Sequence, residues 1–212
     1  MRFRDYVKEM TAVIRDRDPA MKDDKEVYLY PCFWAIWKYR KAHELYLKGK
    51  FYRARKISQR AARKWGIEIH PGATIGKGFF IDHGHGVVIG ETTIIGDNCT
   101  LYQGVTLGGT GKEKGKRHPT LEDNVLVSTG AKILGSFTIG AGSKIGAGSV
   151  VLSEVPPHAT VIGIPGRVVK IDDTVLPNKE LDQVHIPDPV LRDINALSER
   201  VQELKRLVEN TR

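Results

Sequence analysis

Between residues 67 and 166 the hydrophobic positions fall on a beat of six. Aliphatic side chains occupy Ile69, Ile75 and Ile81, then Ile89, Ile95, Leu101 and Leu107, then Leu121, Val127, Ile133, Ile139, Ile145 and Val151, thirteen positions in all. Several are followed by glycine, as in "IGKGFF", "IGDNCT", "IGAGSK" and "IGAGSV". A period of six fits neither an amphipathic helix nor an alternating strand. It predicts short strands joined by tight turns and stacked as a β-helical solenoid, each coil covering the apolar face of the last.

The beat is lost twice. The step from Ile81 to Ile89 is two residues too long, around "DHGHGVV", and the step from Leu107 to Leu121 is eight too long, around "GGTGKEKGKRHPT". A solenoid accommodates extra residues by extruding them at a turn, and rigid scaffolds tend to carry their chemistry on such loops. Asp82, His83 and His85 lie in the first loop, Arg117 and His118 in the second.

The flanks have other periods. Within "FWAIWKYRKAHELYLKGKFYRARKISQRAARKW", the positions Phe33, Ile36, Trp37, Tyr39, Leu45, Leu47 and Ile57 have helical spacing, with Pro31 and Gly49 as breaks. Residues 1–65 are therefore expected to be a helical N-terminal domain, with the aromatic cluster in its core, followed by the β-helix over 66–170. Residues 171–189, with three prolines and many acids, read as a linker. Val190, Ile194, Leu197, Val201, Leu204 and Val208 then form an a/d seam of nearly three heptads, predicting a C-terminal coiled-coil-like helix over 190–212. So short a seam is marginal alone and needs the solenoid's help to self-associate.

Charge adds one question. The formal net charge of +8 is uneven: residues 1–65 hold 18 Lys/Arg against 8 Asp/Glu, and residues 66–212 hold 15 against 17. A basic helical face can bind nucleic acid, sit in solvent, or attract a small phosphorylated ligand. No nucleic-acid motif accompanies the charge, so no nucleic-acid partner is expected. No apolar run is long enough to span a membrane, the start "MRFRDYVKEM" lacks a secretory h-region, and Cys32 and Cys99 have neither metal-ligand nor disulfide-framework spacing. A cytoplasmic protein with reduced thiols is expected.

The blocks "IHPGATIGKGFFIDHGHGVVIGE", "LYQGVTLGGTGKEKGKRHP" and "GAKILG…IGAGSKIGAGSVV…VPPHATVIGIPGRVV", with "RDRDPA" at residues 15–20, resemble serine O-acetyltransferase. The resemblance implies a left-handed parallel β-helix and active sites between the subunits of a trimer. It also implies transfer of the acetyl group of acetyl-CoA to L-serine, giving O-acetyl-L-serine on the way to cysteine. Acetyl-CoA is then a co-substrate and no cofactor is permanently bound. His83 matches the family's general base, and Glu68 stands where many members have the aspartate that orients it. Asp18 and Asp82 match acids at the serine ammonium group, and Arg117 and His118 match the pair near its carboxylate and hydroxyl. Asp18 also suits a helix cap before Pro19. Gly109, Ala131 and Ala147 are expected along the pantetheine arm, with Lys144, Arg167 and Lys170 at the phosphates; the repeat itself also asks for small residues at such places. L-Cysteine is expected to compete with serine.

Three other readings stay open at this stage. A hydratase on the same scaffold would hold zinc with His83, His85 and His118. The acyl group could go to another hydroxyl, of homoserine or a sugar. The basic helices could form a nucleic-acid module. The family's longer members carry further N-terminal helices, so a trimer is expected over a hexamer. The ending "LVENTR" offers no terminal isoleucine, so no tight tail-mediated complex with O-acetylserine sulfhydrylase is expected.

Overall fold

The computed structural model describes residues 2–111, 114–171 and 189–209. Helix α1 (Phe3–Arg17) turns Tyr6, Met10 and Ile14 inward at a spacing of four, one face of an amphipathic helix. A 3-10 segment (Asp24–Leu29), opened by a capping box of Asp23 and Glu26, leads into α2 (Pro31–Leu47), which has proline in its first turn. Helix α3 (Phe51–Trp65) stops at Gly66, whose φ of 69° is a left-handed cap that glycine adopts without strain. The breaks expected at Pro31 and Gly49 are where the helices change. Phe33, Ile36 and Tyr39 are buried as expected. Leu47 is not: it is 72% exposed, because it closes the last turn of α2 at the solvent-facing tip of the α2–α3 hairpin.

The solenoid follows. Its first coil is β1 (Ile67–Ile69), β2 (Thr74–Ile75) and β3 (Phe80–Ile81). The second is β4 (Val87–Ile89), β5 (Ile94–Ile95) and β6 (Thr100–Leu101). The third is β7 (Thr106–Gly108), β8 (Thr120–Leu121) and β9 (Leu126–Val127). The fourth is β10 (Lys132–Leu134), β11 (Thr138–Ile139) and β12 (Lys144–Ile145). Every third strand pairs in parallel, which builds three sheets around one core.

Register explains the six-residue beat. Ile69, Ile89, Leu107, Ile133 and Val151 stack in one column. Ile75, Ile95, Leu121 and Ile139 form a second, and Ile81, Leu101, Val127 and Ile145 a third. Each column lies under one sheet, so every coil repeats the same three inward positions. All thirteen except the partly exposed Ile75 are buried.

After β13 (Val150–Val151) the count shortens. Val155 bridges to Ile139 only four residues on, and Val161 in β14 (Ala159–Ile162) continues the third column beside Ile145. Strand β15 (Arg167–Ile171) then pairs antiparallel with β14, covering that sheet's edge. The hexad pattern gave no sign of this hairpin.

The helices cover the first coil and, through Arg17, reach the second. Tyr39 donates to Ala73 O at 2.6 Å, Ser58 donates to Ile69 O at 2.6 Å, and the buried Arg17 donates to Cys99 O and Thr100 Oγ1. A solenoid end needs such a cap, since the outermost coil otherwise leaves its apolar face in water. Cys32 and Cys99 are free and buried, and burial pushes both thiols up to about 12.

Helix α4 (Pro189–Glu209) is observed where the heptads predict it, and exposes Ile194, Leu197, Val201 and Leu204 of the seam. Of the expected linker, Ile171 belongs to β15 and Pro189 to α4, while 172–188 lie outside the described residues, as do Thr211 and Arg212. Among the described residues no helix is long and apolar enough to cross a membrane.

Candidate active site

The two interruptions leave the coil at opposite ends of neighbouring strands in one sheet. The loop 82–86 feeds β4; the loop 109–119 follows β7, the strand paired beside it.

At the first corner, Asp82 donates its backbone N–H to Leu101 O at 2.9 Å, continuing the ladder, and the chain then turns sharply. His83 takes a φ of 56°. This left-handed conformation is uncommon for a residue with a side chain, and the solenoid uses it at other turns too, at Asn98, Asn124 and His158. At His83 it leaves the imidazole exposed. Helix α1 delivers Asp18 to the same place. Burial first, and after it the neighbouring Asp18 charge, raise the Asp82 pKa from its ordinary value, with His83 opposing. Asp18 is held on both oxygens: Oδ1 accepts the Ala20 N–H at 2.8 Å, and Oδ2 accepts the Tyr30 hydroxyl at 2.6 Å. His85 turns elsewhere. Its ring covers Gly66 at the helix–solenoid junction, where an added Cβ would come within 2.9 Å of Cδ2.

Glu68 on β1 and His70, the residue just after that strand, lie two positions apart on the same outer side. Glu68 Oε1 accepts from Gln59 Nε2 at 2.9 Å and lies 3.7 Å from the Arg55 guanidinium. Among the described residues no hydrogen bond joins Glu68 to His83, and Glu68 Oε2 accepts none. His70 Nδ1 accepts the Gly72 N–H at 3.0 Å, so its ring proton is on Nε2; burial, with Arg55 next, lowers its pKa.

At the second corner His118 is buried between two glycines. A Cβ on Gly90 would lie 1.9 Å from its Cδ2, and one on Gly109 would lie 3.1 Å from its Nε2. Only glycine at 90 admits the ring. Nδ1 accepts the Thr92 backbone N–H at 3.2 Å, which fixes the neutral tautomer with hydrogen on Nε2. Burial and the adjacent Arg117 charge lower its pKa, keeping it neutral. Arg117 donates to Glu91 Oε2 at 3.1 Å, and Glu91 Oε1 accepts the Tyr46 hydroxyl at 3.0 Å. These bonds, Tyr46 first, hold the Glu91 pKa below its usual value.

The residues expected along coenzyme A are spread over the third to fifth coils. Gly109 packs under Arg117, Ala131 is fully buried, and Ala147 is exposed at the β12–β13 turn. Lys144 and Lys170 both pair with Thr160, one from each side, so they share a sheet face, and Arg167 stands at the other end of β15. Among the described residues no group of three or more His, Cys, Asp or Glu side chains is placed to hold a metal ion, including His83, His85 and His118.

Neither the hexad count nor the family motifs single out Tyr30, Tyr46, Gln59, His70 or Glu91. His70 could have been found, because strand alternation puts it on the face of Glu68. The others depend on how helices dock onto the solenoid.

A solenoid of stacked hexads with polar loops at two corners is the scaffold of a hexapeptide-repeat transferase, and the family described as bacterial transferase hexapeptide (six repeats) matches residues 118–153. The likeness runs further along the chain. A serine acetyltransferase of Bacillus licheniformis is 56% identical over 205 residues, covering 96% of this chain and 94% of that protein, and one of Bacillus subtilis is 55% identical over the same shares. A solved serine acetyltransferase in complex with cysteine superimposes with a TM-score of 0.82 at 40% identity, covering 86% of this chain and 71% of that one. A Neisseria gonorrhoeae serine acetyltransferase in complex with serine gives 0.75 at 42% identity over 79% and 69%. The chain belongs to the serine acetyltransferase family, a family of acyltransferases.

Proposed function

We propose that this chain transfers the acetyl group of acetyl-CoA to the hydroxyl of L-serine, giving O-acetyl-L-serine and CoA, the first step of cysteine biosynthesis. The observation that carries this reading is the corner where Asp18, Asp82 and the exposed His83 converge. Two carboxylates, one with a raised pKa, suit an ammonium group, because a bound cation relieves their repulsion. His83 beside them takes the proton of the serine hydroxyl as its oxygen attacks the thioester carbonyl. The tetrahedral intermediate then collapses, the C–S bond breaks, and the proton passes to the departing thiolate of CoA. Glu68 Oε2 is the oxygen available to orient the imidazole, while Gln59 and Arg55 occupy Oε1.

Arg117 and the Nε2–H of His118 supply donors for the serine carboxylate and hydroxyl. The two corners stand about 13 Å apart along β4, taking about 3.3 Å per residue from Gly86 to Gly90. One serine does not span both within a single chain. The site therefore forms between neighbouring copies, one giving Asp18, Asp82 and His83, the next giving Arg117 and His118. A closed ring of three satisfies every such interface. Coenzyme A runs along the solenoid past Gly109 and Ala147, with Ala131 keeping the wall thin and Lys144, Arg167 and Lys170 toward its phosphates. Cysteine, which differs from serine only in its nucleophilic atom, competes for the same groups.

Thiol release from acetyl-CoA, measured with serine, homoserine and sugar acceptors, tests the proposal. Release dependent on serine and faster than with the others is expected. Release that prefers homoserine or a sugar, or none with serine, overturns it.

A further inference from the structure

The strongest unassigned contact near this site is the bond that closes the segment between α1 and α2. Tyr30 is the N-cap residue of α2, a position that favours Ser, Thr, Asp or Asn, and its side chain makes no capping bond. A local preference is broken there, which is common where a residue serves something else. Its hydroxyl instead reaches back twelve positions to Asp18 Oδ2 at 2.6 Å. The ring is partly buried against the core, so the hydroxyl is presented from a fixed base. The segment between is also stiff: Asp23 and Glu26 cap its 3-10 turn, and Met21 N–H donates to Asp18 O at 3.2 Å.

We propose that Tyr30 is a positioning residue of the acceptor pocket, fixing the Asp18 carboxylate so that it favours acceptors carrying an α-ammonium group. The proposal rests on the acceptor reading of Asp18 given above. With Oδ1 held by Ala20 and Oδ2 by Tyr30, the carboxylate cannot rotate, and each oxygen keeps a lone pair for a ligand. Burial first, then the bond to Asp18 and its charge, with smaller pushes from Glu26 and Asp82, raise the Tyr30 pKa and keep the phenol a donor. Without the hydroxyl, Asp18 retains one anchor and is free to swing away from Asp82.

Tyr30→Phe keeps the ring and removes only the donor. Steady-state kinetics would compare it with Asp18→Asn and the double variant, using serine and 3-hydroxypropionate, which lacks the ammonium group. Tyr30→Phe is expected to raise KM for serine about tenfold, the scale of a lost hydrogen bond to a charged group. KM for acetyl-CoA should stay within twofold, and the preference for serine over 3-hydroxypropionate should shrink. The double variant should be no worse than Asp18→Asn alone, because Tyr30 acts through Asp18. A raised serine KM in Asp18→Asn with an unchanged one in Tyr30→Phe overturns this proposal only. An unchanged value in Asp18→Asn overturns the acceptor reading of Asp18, and this proposal with it. Equal rises in both substrates' KM with additive effects in the double variant show a packing role and also overturn it.

Discussion

Gln59 donates its side-chain N–H to Glu68 Oε1 at 2.9 Å, so a helix of the N-terminal region holds the strand carboxylate proposed to orient His83. The extra methylene of glutamate, compared with aspartate, is what lets the side chain extend from β1 to α3. Glu68→Asp should therefore lose the Gln59 bond. We expect it to keep turnover within a few-fold and to become indifferent to Gln59→Ala, which should change the parent enzyme measurably. Glu68→Gln should cost about ten- to a hundredfold in turnover, less than loss of the base itself. Kinetics of the three single variants and of Glu68→Asp combined with Gln59→Ala checks this, and a silent Glu68→Gln would remove the carboxylate from the mechanism.

His83→Ala should lower turnover by about 10²–10⁴, the usual worth of a positioned general base. The solenoid should stay folded, because the imidazole is exposed and alanine can hold the φ of 56° at position 83 beside Gly84 and Gly86, which share the turn at positive φ. Circular dichroism and thermal unfolding beside the kinetics would separate the two effects. Near-normal turnover would take His83 out of the role.

The solenoid was legible in the sequence because a coil repeats one inward chemistry at fixed intervals, and the three columns turn that chemistry into register. The interruptions were legible for the same reason, as departures from a count. What was hidden obeys no count. Val155 comes four residues after Val151, and β15 pairs antiparallel where every earlier pairing is parallel. Gln59 and Arg55 reach Glu68 from α3, Tyr46 reaches Glu91 from α2, and Tyr30 reaches Asp18 from the start of α2, so these contacts depend on how the helices dock rather than on any period. Gly90 looks like one more turn glycine until the His118 ring is found occupying the place of its Cβ.

Asp82 should reveal itself in stability as well as binding. Its folded-state pKa is raised, chiefly by burial and then by Asp18. The stabilising contribution of the protonated form is present below the unfolded pKa of aspartate and is lost as pH rises through the higher folded value. At neutral pH the ionised Asp82 therefore weakens the unliganded fold. Asp82→Asn should raise the thermal midpoint near neutral pH, and the gain should vanish in acid, while serine binding is impaired. A variant less stable than the parent at neutral pH would contradict the assignment.

Arg117→Ala should raise KM for serine more than KM for acetyl-CoA, since Arg117 is proposed to meet the amino acid. It also leaves Glu91 with only its Tyr46 bond. Equal effects on both substrates would indicate a general disturbance of the 109–119 loop.

The separation of the two corners gives the sharpest test of assembly. If each site takes His83 from one copy and Arg117 from the next, two crippled chains can repair one another. His83→Ala chains keep an intact second corner, and Arg117→Ala chains an intact first. Co-expressed in equal amounts and assembled at random in a ring, they should place an intact pair at about a quarter of the interfaces. Assayed at low serine, where each variant alone is weak, the mixture should recover about that share of the unmutated enzyme's activity. The exposed seam of α4 adds a second handle, because Leu197→Glu with Leu204→Glu should loosen the association by light scattering without unfolding the solenoid. No recovery in the mixture, or a stable and fully active monomer, would mean that one chain holds the whole site and that the two corners do not share a serine.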